Sequence, residues 1–234
     1  MRIARSLCCT ALVAAALAAC TDNRATFFVR DIKIPTTSDC EVQSDRNAAF
    51  RPYGIMDLGL TQAYYLHPLV ENAMESSVRL NPSTAESNRI AVTGAQVRLR
   101  SSTGESIATD YFVPTSGLVE PGGVVATSFQ AVPPGYLTAG GANDMVIVEF
   151  KMLGTTGGGI EVDTPWFAFP LYTCTGCLVM FPPEAWDEIM GCYNCWDIGS
   201  GTDDIPCVIG QDDYVDCRFC ATSNEALCTD ASCV

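Results

Sequence analysis

The chain has 234 residues, of which 48% are hydrophobic and 17% are charged, and it carries a formal net charge of −14. This composition excludes a disordered protein, because disordered segments contain few hydrophobic residues and many charged ones. The charge also argues against nucleic-acid binding, since phosphates would repel a negatively charged chain. The sequence has no clear basic cluster, and the pair Arg98 and Arg100 comes nearest to one.

The first twenty residues have the pattern of an export signal. Arg2 and Arg5 form a short basic region, residues 7–19 form an apolar run, and small residues precede Cys20. A helix over this run would span about 20 Å, which is less than the roughly 30 Å hydrocarbon core of a membrane. We therefore expect a cleaved signal peptide over residues 1–19 and not a permanent membrane-spanning segment.

The tetrapeptide Leu17-Ala18-Ala19-Cys20 resembles the lipobox of bacterial lipoproteins. In that class a diacylglyceryl group is attached to the cysteine sulfur, the peptide is cut before the cysteine, and the new amino terminus is acylated. The resemblance implies a lipid anchor on Cys20, with acyl chains such as palmitate inserted in the membrane. In enterobacterial members of this class, an Asp directly after the lipidated cysteine favours retention in the inner membrane. Thr21 occupies that position here, so we expect the outer membrane of a Gram-negative cell. The alternative is an ordinary signal peptide, with Cys20 as a plain thiol.

From residue 26 to residue 172 the sequence predicts an all-β fold, because short runs of β-branched and aromatic residues are divided by Gly, Pro, Asn and Ser. Over residues 95–100 apolar and polar side chains alternate strictly, so that one strand face is buried. Residues 106–113 follow a turn and complete a hairpin. A second hairpin is expected between residues 145–153 and 160–169, and further strands are expected at 27–34, 53–60, 63–70 and 124–132.

These strands predict an antiparallel, immunoglobulin-like β-sandwich, since about eight short strands at regular spacing are typical of that architecture. We expect the prolines to lie between strands, where a missing amide donor does no harm. These prolines are Pro114, Pro121, Pro133 and Pro134.

The composition changes sharply after Tyr172. Nine of the 13 cysteines lie in residues 173–234, and eleven acidic residues after Leu178 are accompanied by a single basic one, Arg218. One short helix is expected at 183–190, where a proline stands in the first turn. The expected parts are a signal peptide (1–19), a lipidated linker (20–25), the β-sandwich (26–172) and a loop-rich, acidic, cysteine-rich module (173–234).

Ten cysteines remain when Cys8 and Cys9 of the signal peptide and the lipidated Cys20 are set aside. An even number in an exported chain favours a disulfide framework, because a segment of about 60 residues buries too little apolar surface to fold securely unaided. Nine of the ten lie in the module, so full pairing requires Cys40 to bridge from the sandwich. The candidates are Cys40, Cys174, Cys177, Cys192, Cys195, Cys207, Cys217, Cys220, Cys228 and Cys233.

The same cysteines allow two other interpretations. Two CxxC pairs, Cys174 with Cys177 and Cys192 with Cys195, have the spacing of a four-thiolate zinc site. A CxxC pair can also exchange disulfides, although the long helix that usually follows such a pair is interrupted here by two prolines after Cys177. An oxidising compartment favours disulfides over both.

Three further features offer candidate chemistry. His67 is the only histidine, and we interpret it as structural. Trp166, Trp186, Trp196, Tyr193 and Tyr214 could form a recognition surface for sugar or protein, although core packing is the preferred interpretation. Acidic side chains could bind calcium, although a solvated acidic surface is preferred. The calcium candidates are Asp197, Asp203, Asp204, Asp212, Asp213 and Asp216.

The sequence therefore predicts a lipoprotein held in the cell envelope, with no cofactor and no catalytic set. We expect it to act in binding, adhesion or envelope assembly, with the membrane as one partner and an envelope protein or glycan as another. The alternatives are a periplasmic thiol oxidoreductase and a module that binds zinc or calcium.

Overall fold

The computed structural model describes residues 26–77, 85–137, 144–189, 191–193, 195 and 205–220. Over these residues the chain is all-β with a disulfide-containing cysteine-rich part, as predicted. The strands of the first part are β1 (Phe27–Ile32), β2 (Gly54–Asp57), β3 (Tyr64–Leu66), β4 (Pro68–Asn72), β5 (Ile90–Ser101), β6 (Tyr111–Val119), β7 (Val124–Ala126), β8 (Phe129–Val132), β9 (Met145–Thr156), β10 (Glu161–Asp163) and β11 (Phe167–Cys174). The cysteine-rich part contains β12 (Val179–Met180), a 3-10 helix (Pro183–Ala185), β13 (Trp186–Asp187), β14 (Cys192–Tyr193), β15 (Val215–Asp216) and α1 (Cys217–Cys220).

Three sheets of the first part enclose one hydrophobic core. The largest has the strand order β2-β11-β9-β5-β6, with β10 also paired to β9, and the others are β1-β4-β7 and β3-β8. Phe27 from β1, Leu66 from β3 and Val148 from β9 all belong to the same buried cluster. The short sheets β12-β15 and β13-β14 lie in the cysteine-rich part.

The two 12-residue strands β5 and β9 form the centre of the largest sheet. Their register places Val97 opposite Phe150 and Leu99 opposite Val148. All four side chains are fully buried, because alternate residues of each strand point to the core. The predicted alternation over residues 95–100 is therefore confirmed.

Two of the expected strands are each divided in two, and their breaks lie side by side. The run 63–70 forms β3 and β4, which separate at His67, and the run 124–132 forms β7 and β8, which separate at residues 127–128. β3 pairs with β8 while β4 pairs with β7. Both runs therefore leave one sheet and enter another at the same point.

The expected run 160–169 is also divided, into β10 and β11, and both pair with β9. The break includes Pro165, which has no amide hydrogen to donate. Thr164 closes the gap instead, because its hydroxyl accepts the Met152 N–H at 3.0 Å and its own N–H donates to the Met152 carbonyl at 3.0 Å.

The structure corrects three expectations. Pro114 lies inside β6, opposite Gly94 at a register shift, and it is tolerated because β6 is an edge strand of its sheet. The largest sheet is not purely antiparallel, since β2 and β11 run parallel. The helix expected at 183–190 is wrong, because Trp186 is extended (φ −71°, ψ 117°) and pairs with Tyr193.

Candidate functional site

Cys40 forms a disulfide with Cys207, which is the link between the two parts that the odd number of module cysteines predicted. Cys40 has a positive φ of 57° and its N–H donates to the Thr36 carbonyl at 2.9 Å. The bond joins residues separated by 167 positions, so it fastens the long connection between β1 and β2 to the cysteine-rich part.

Two further disulfides join Cys174 to Cys177 and Cys195 to Cys217. Three of the four candidate zinc ligands therefore have their sulfurs in disulfides, and the expected alternative of a four-thiolate site with Cys192 does not fit this structure. The backbones of Cys192 and Cys220 lie in β14 and α1. Cys20, Cys228 and Cys233 lie outside the described residues.

Asp57 is a fully buried carboxylate that the sequence analysis missed. Its Oδ1 accepts the N–H groups of Gly59 at 3.0 Å and Gly176 at 2.8 Å, and its Oδ2 accepts the Leu178 N–H at 3.0 Å. A buried charge is costly unless hydrogen bonds replace its water, and here two of the three donors come from the loop that contains Cys177. The only local signal was an acidic residue between an apolar strand and a turn.

The carboxylate of Asp57 lies close to the Cys174–Cys177 disulfide. One of its oxygens and the two sulfurs all lie within 4.8 Å of one another, and no other such group of three or more metal-ligand side chains occurs in the described ranges. Cys174 is buried and its sulfur lies 3.7 Å from the Met56 carbonyl oxygen, whereas Cys177 is exposed. This arrangement, which we call the CxxC loop (residues 174–178 with Asp57), combines an accessible sulfur with a buried one.

Asp212 attaches the cysteine-rich part to the other side of β2. Its Oδ1 accepts the Ile55 N–H at 2.8 Å, and its two oxygens accept the Tyr64 hydroxyl at 3.0 and 2.9 Å. Burial raises the pKa of Asp212, while the Arg51 guanidinium, 3.4 Å away, opposes that shift. Gly54 is required beside this cluster, because a Cβ there would overlap the Tyr64 hydroxyl.

The described calcium candidates have arginine partners. Arg51 lies 3.4 Å from Asp212 and 3.5 Å from Asp213, and Arg218 forms an ion pair with the buried Asp216. These three carboxylates therefore do not converge on a shared calcium site. Asp197, Asp203 and Asp204 lie outside the described residues.

His67 lies where β3 and β4 separate, and its Nδ1 is 2.8 Å from the Ser128 hydroxyl in the break between β7 and β8. Its Nε2 is buried and has no hydrogen-bond partner in the part of the chain that the structure describes. Burial lowers the pKa of His67 to about 4. Among the described residues the ring has no acidic partner of the kind that a Ser-His-Asp arrangement needs, and it joins the two strand breaks as a neutral side chain.

The cysteine-rich part displays an apolar surface, which we call the module face. Val179, Met180, Phe181, Tyr193 and Tyr214 line a shallow groove, and Trp186 packs against Tyr193 with ring centroids 5.1 Å apart. Met180, Trp186 and Tyr214 are 46%, 47% and 66% exposed. Trp186 and Tyr214 therefore do not serve as core residues, although core packing was the preferred interpretation for both.

No family model matches the chain, and no curated protein matches its sequence. Among the described residues, none of the helices is long and apolar enough to cross a membrane. Three disulfides indicate an oxidising environment, because cytosolic reductants keep thiols reduced.

Removal of the Cys40–Cys207 disulfide should destabilise the protein more than removal of Cys174–Cys177. The stabilisation grows with the length of the closed loop, and separations of 167 and 3 residues correspond to about 5 and about 2 kcal/mol. Urea unfolding of the paired serine variants, C40S/C207S and C174S/C177S, measures both losses. Equal losses would contradict the loop-length account.

His67 should make the folded protein less stable in acid. Its folded pKa of about 4 lies below the ordinary 6.5, so between these values the unfolded chain binds a proton that the folded chain does not. Stability is therefore lost as pH falls from 6.5 to 4, by about 3 kcal/mol in total. Urea unfolding at pH 7, 5.5 and 4.5 should show this loss in the wild type. In a His67→Asn variant, which can still hydrogen-bond to Ser128, the free energy of unfolding should not show this part of its dependence on pH.

Proposed function

We propose that the protein is an outer-membrane lipoprotein of a Gram-negative bacterium, tethered by a lipid on Cys20, that binds an envelope protein through its module face. The β-rich part, which we interpret as a sandwich of the immunoglobulin-like type, serves as the support for that face. The observation that carries the proposal is the exposed aromatic groove of a module that a disulfide fastens to the support.

The residue types of the module face favour a protein partner. Tyr, Trp, Phe and Met are enriched at the centres of protein interfaces, where they supply large buried areas. Trp186 and Tyr214 present such side chains to solvent although they lie in a folded segment. An apolar surface of this kind is typical of a recognition site.

The module face is held in shape before any partner binds. Phe181 and Tyr193 pack against a small core that contains Cys195 and Cys217, which are themselves joined by a disulfide. Side chains that are already ordered lose less conformational entropy on binding, so more of the contact energy remains as affinity.

The partner needs an apolar patch that fits the module face, and the charge near the module face indicates which residues surround that patch. Glu184 and Glu188 are exposed on either side of Trp186 in the sequence, and the whole chain has a net charge of −14. Complementary charge speeds association and suppresses wrong partners. We therefore expect an apolar patch rimmed by Lys and Arg on the partner. A glycan is the alternative ligand for the same aromatic side chains.

Truncation of the module face should weaken partner capture. A photo-reactive residue at position 180 should cross-link the partner in intact cells, and W186A/Y214A should reduce that product by at least about tenfold, since the two aromatic side chains together should contribute roughly 1.4 kcal/mol or more. F50A/F112A is the matched control, because Phe50 and Phe112 are 59% and 55% exposed on the β-rich part. An equal loss of cross-linked product in both variants would contradict the assignment of partner binding to the module face. Cross-linking to glycan alone would select the alternative ligand.

Replacement of Cys20 should release the protein from the membrane. A Cys20→Ala variant cannot form the thioether to a diacylglyceryl group. We therefore expect it as a soluble protein or as the uncleaved precursor, and not as mature protein in the outer membrane. Mass spectrometry of the wild-type amino-terminal peptide should show acyl chains on Cys20. An unmodified thiol there would overturn the tether.

A further inference from the structure

The Cys174–Cys177 disulfide contributes less to stability than the other two described disulfides. It closes a loop with a sequence separation of 3, against 22 for Cys195–Cys217 and 167 for Cys40–Cys207. A cross-link stabilises mainly by restricting the unfolded chain, and the shortest loop gains the least from that effect. Stability alone is therefore a weak reason for this bond.

The CxxC loop offers only one of its sulfurs to an incoming reagent. Thiol–disulfide exchange requires a thiolate to reach one sulfur of the disulfide. Cys177 is exposed, whereas Cys174 is only 6% exposed. In the oxidised state Cys177 is the sulfur that a thiolate can attack, and in the reduced state it is the sulfur that can reach another protein.

The surroundings of the buried sulfur can accept a proton. Three N–H groups occupy three of the roughly four lone-pair directions of the Asp57 carboxylate, which leaves one free on Oδ2. A carboxylate oxygen lies within 4.8 Å of the Cys174 sulfur, which is a distance that one bridging water can span, so a proton can pass between them through that water. The Met56 carbonyl is a second acceptor beside the same sulfur. Both neighbours favour a protonated Cys174 over a thiolate.

We propose that Cys174, Cys177 and Asp57 form a thiol–disulfide exchange site that, when reduced, donates two electrons to an accessible disulfide of another protein. The carboxylate sets the direction of electron transfer. A negative charge beside Cys174 disfavours its thiolate, so the reduced pair tends to return to the disulfide and to reduce its substrate. This activity is independent of partner binding at the module face.

The reaction proceeds in two balanced steps. The Cys177 thiolate attacks one sulfur of the substrate disulfide, and the other substrate sulfur leaves with the proton that Cys177 had lost. The Cys174 thiol then gives its proton to Asp57 while its sulfur attacks Cys177, which breaks the mixed disulfide. The second substrate sulfur leaves and takes up the proton from Asp57. The substrate becomes two thiols, and a dithiol donor returns Cys174 and Cys177 to the reduced state.

The test uses the purified full chain with dithiothreitol as the dithiol donor and insulin as the substrate disulfide. We expect the protein to accelerate insulin reduction at least about tenfold over dithiothreitol alone. C177S should abolish the acceleration, whereas C174S should trap a mixed disulfide between Cys177 and insulin that is visible by mass spectrometry. C40S/C207S is the matched control, because Cys40 is also exposed, and it should keep the activity at a temperature where circular dichroism shows that this variant is folded. No acceleration, or equal loss in the control, would overturn the proposal.

A second measurement tests the part assigned to Asp57. An Asp57→Asn variant should slow turnover about tenfold at pH 7, and the deficit should shrink as the pH rises, because hydroxide then takes the proton that the carboxylate no longer accepts. An equal loss at every pH would show that Asp57 only holds the loop. The C174S variant retains Asp57. Its trapped mixed disulfide therefore tests the two cysteines even if the Asp57→Asn variant fails to fold.

Discussion

The buried carboxylate of Asp57 is the constraint on which the rest of the molecule depends. A carboxylate without water must be hydrogen-bonded, and Asp57 finds its donors in its own turn and in a loop more than a hundred residues later. Its own N–H donates to the Gly210 carbonyl at 2.9 Å. Loss of these contacts would leave a buried carboxylate without hydrogen bonds, which is strongly destabilising. The end of β2, the CxxC loop and the segment at Gly210 are therefore held together.

Strand β2 becomes the place where the two parts of the chain meet. It pairs in parallel with β11 on one side, and Met56 forms an isolated bridge with Gln211 on the other. Asp212 adds hydrogen bonds to Ile55 and Tyr64. The cysteine-rich part is thus joined to the β-rich part by backbone pairing, buried polar contacts and a disulfide. This attachment suits a module whose exposed surface must be presented in a defined orientation.

The three described disulfides have different physical roles. Cys40–Cys207 closes a long loop and acts mainly on stability, and Cys195–Cys217 lies in the small core beneath the module face. Cys174–Cys177 has neither advantage, yet it alone combines an exposed sulfur with a buried carboxylate in the described part of the chain. The three bonds therefore differ in loop length and in surroundings, although all three are disulfides.

Local pattern determined the features that depend on neighbouring residues. The alternation over residues 95–100 specified which face of β5 is buried, because side chains of a strand alternate by geometry. The odd number of module cysteines indicated a bond from Cys40, since that inference required only counting. The export pattern and the lipobox at Cys20 remain predictions from the sequence.

Only the tertiary structure decided which distant groups meet. It selected Cys207 as the partner of Cys40, placed Asp212 against Tyr64 148 residues away, and buried Asp57 beneath the CxxC loop. It also placed Pro114 inside an edge strand and ended the expected helix after one turn. Local periodicity carries no information about these pairings, because the burial of a polar group depends on donors that the fold brings from elsewhere in the chain.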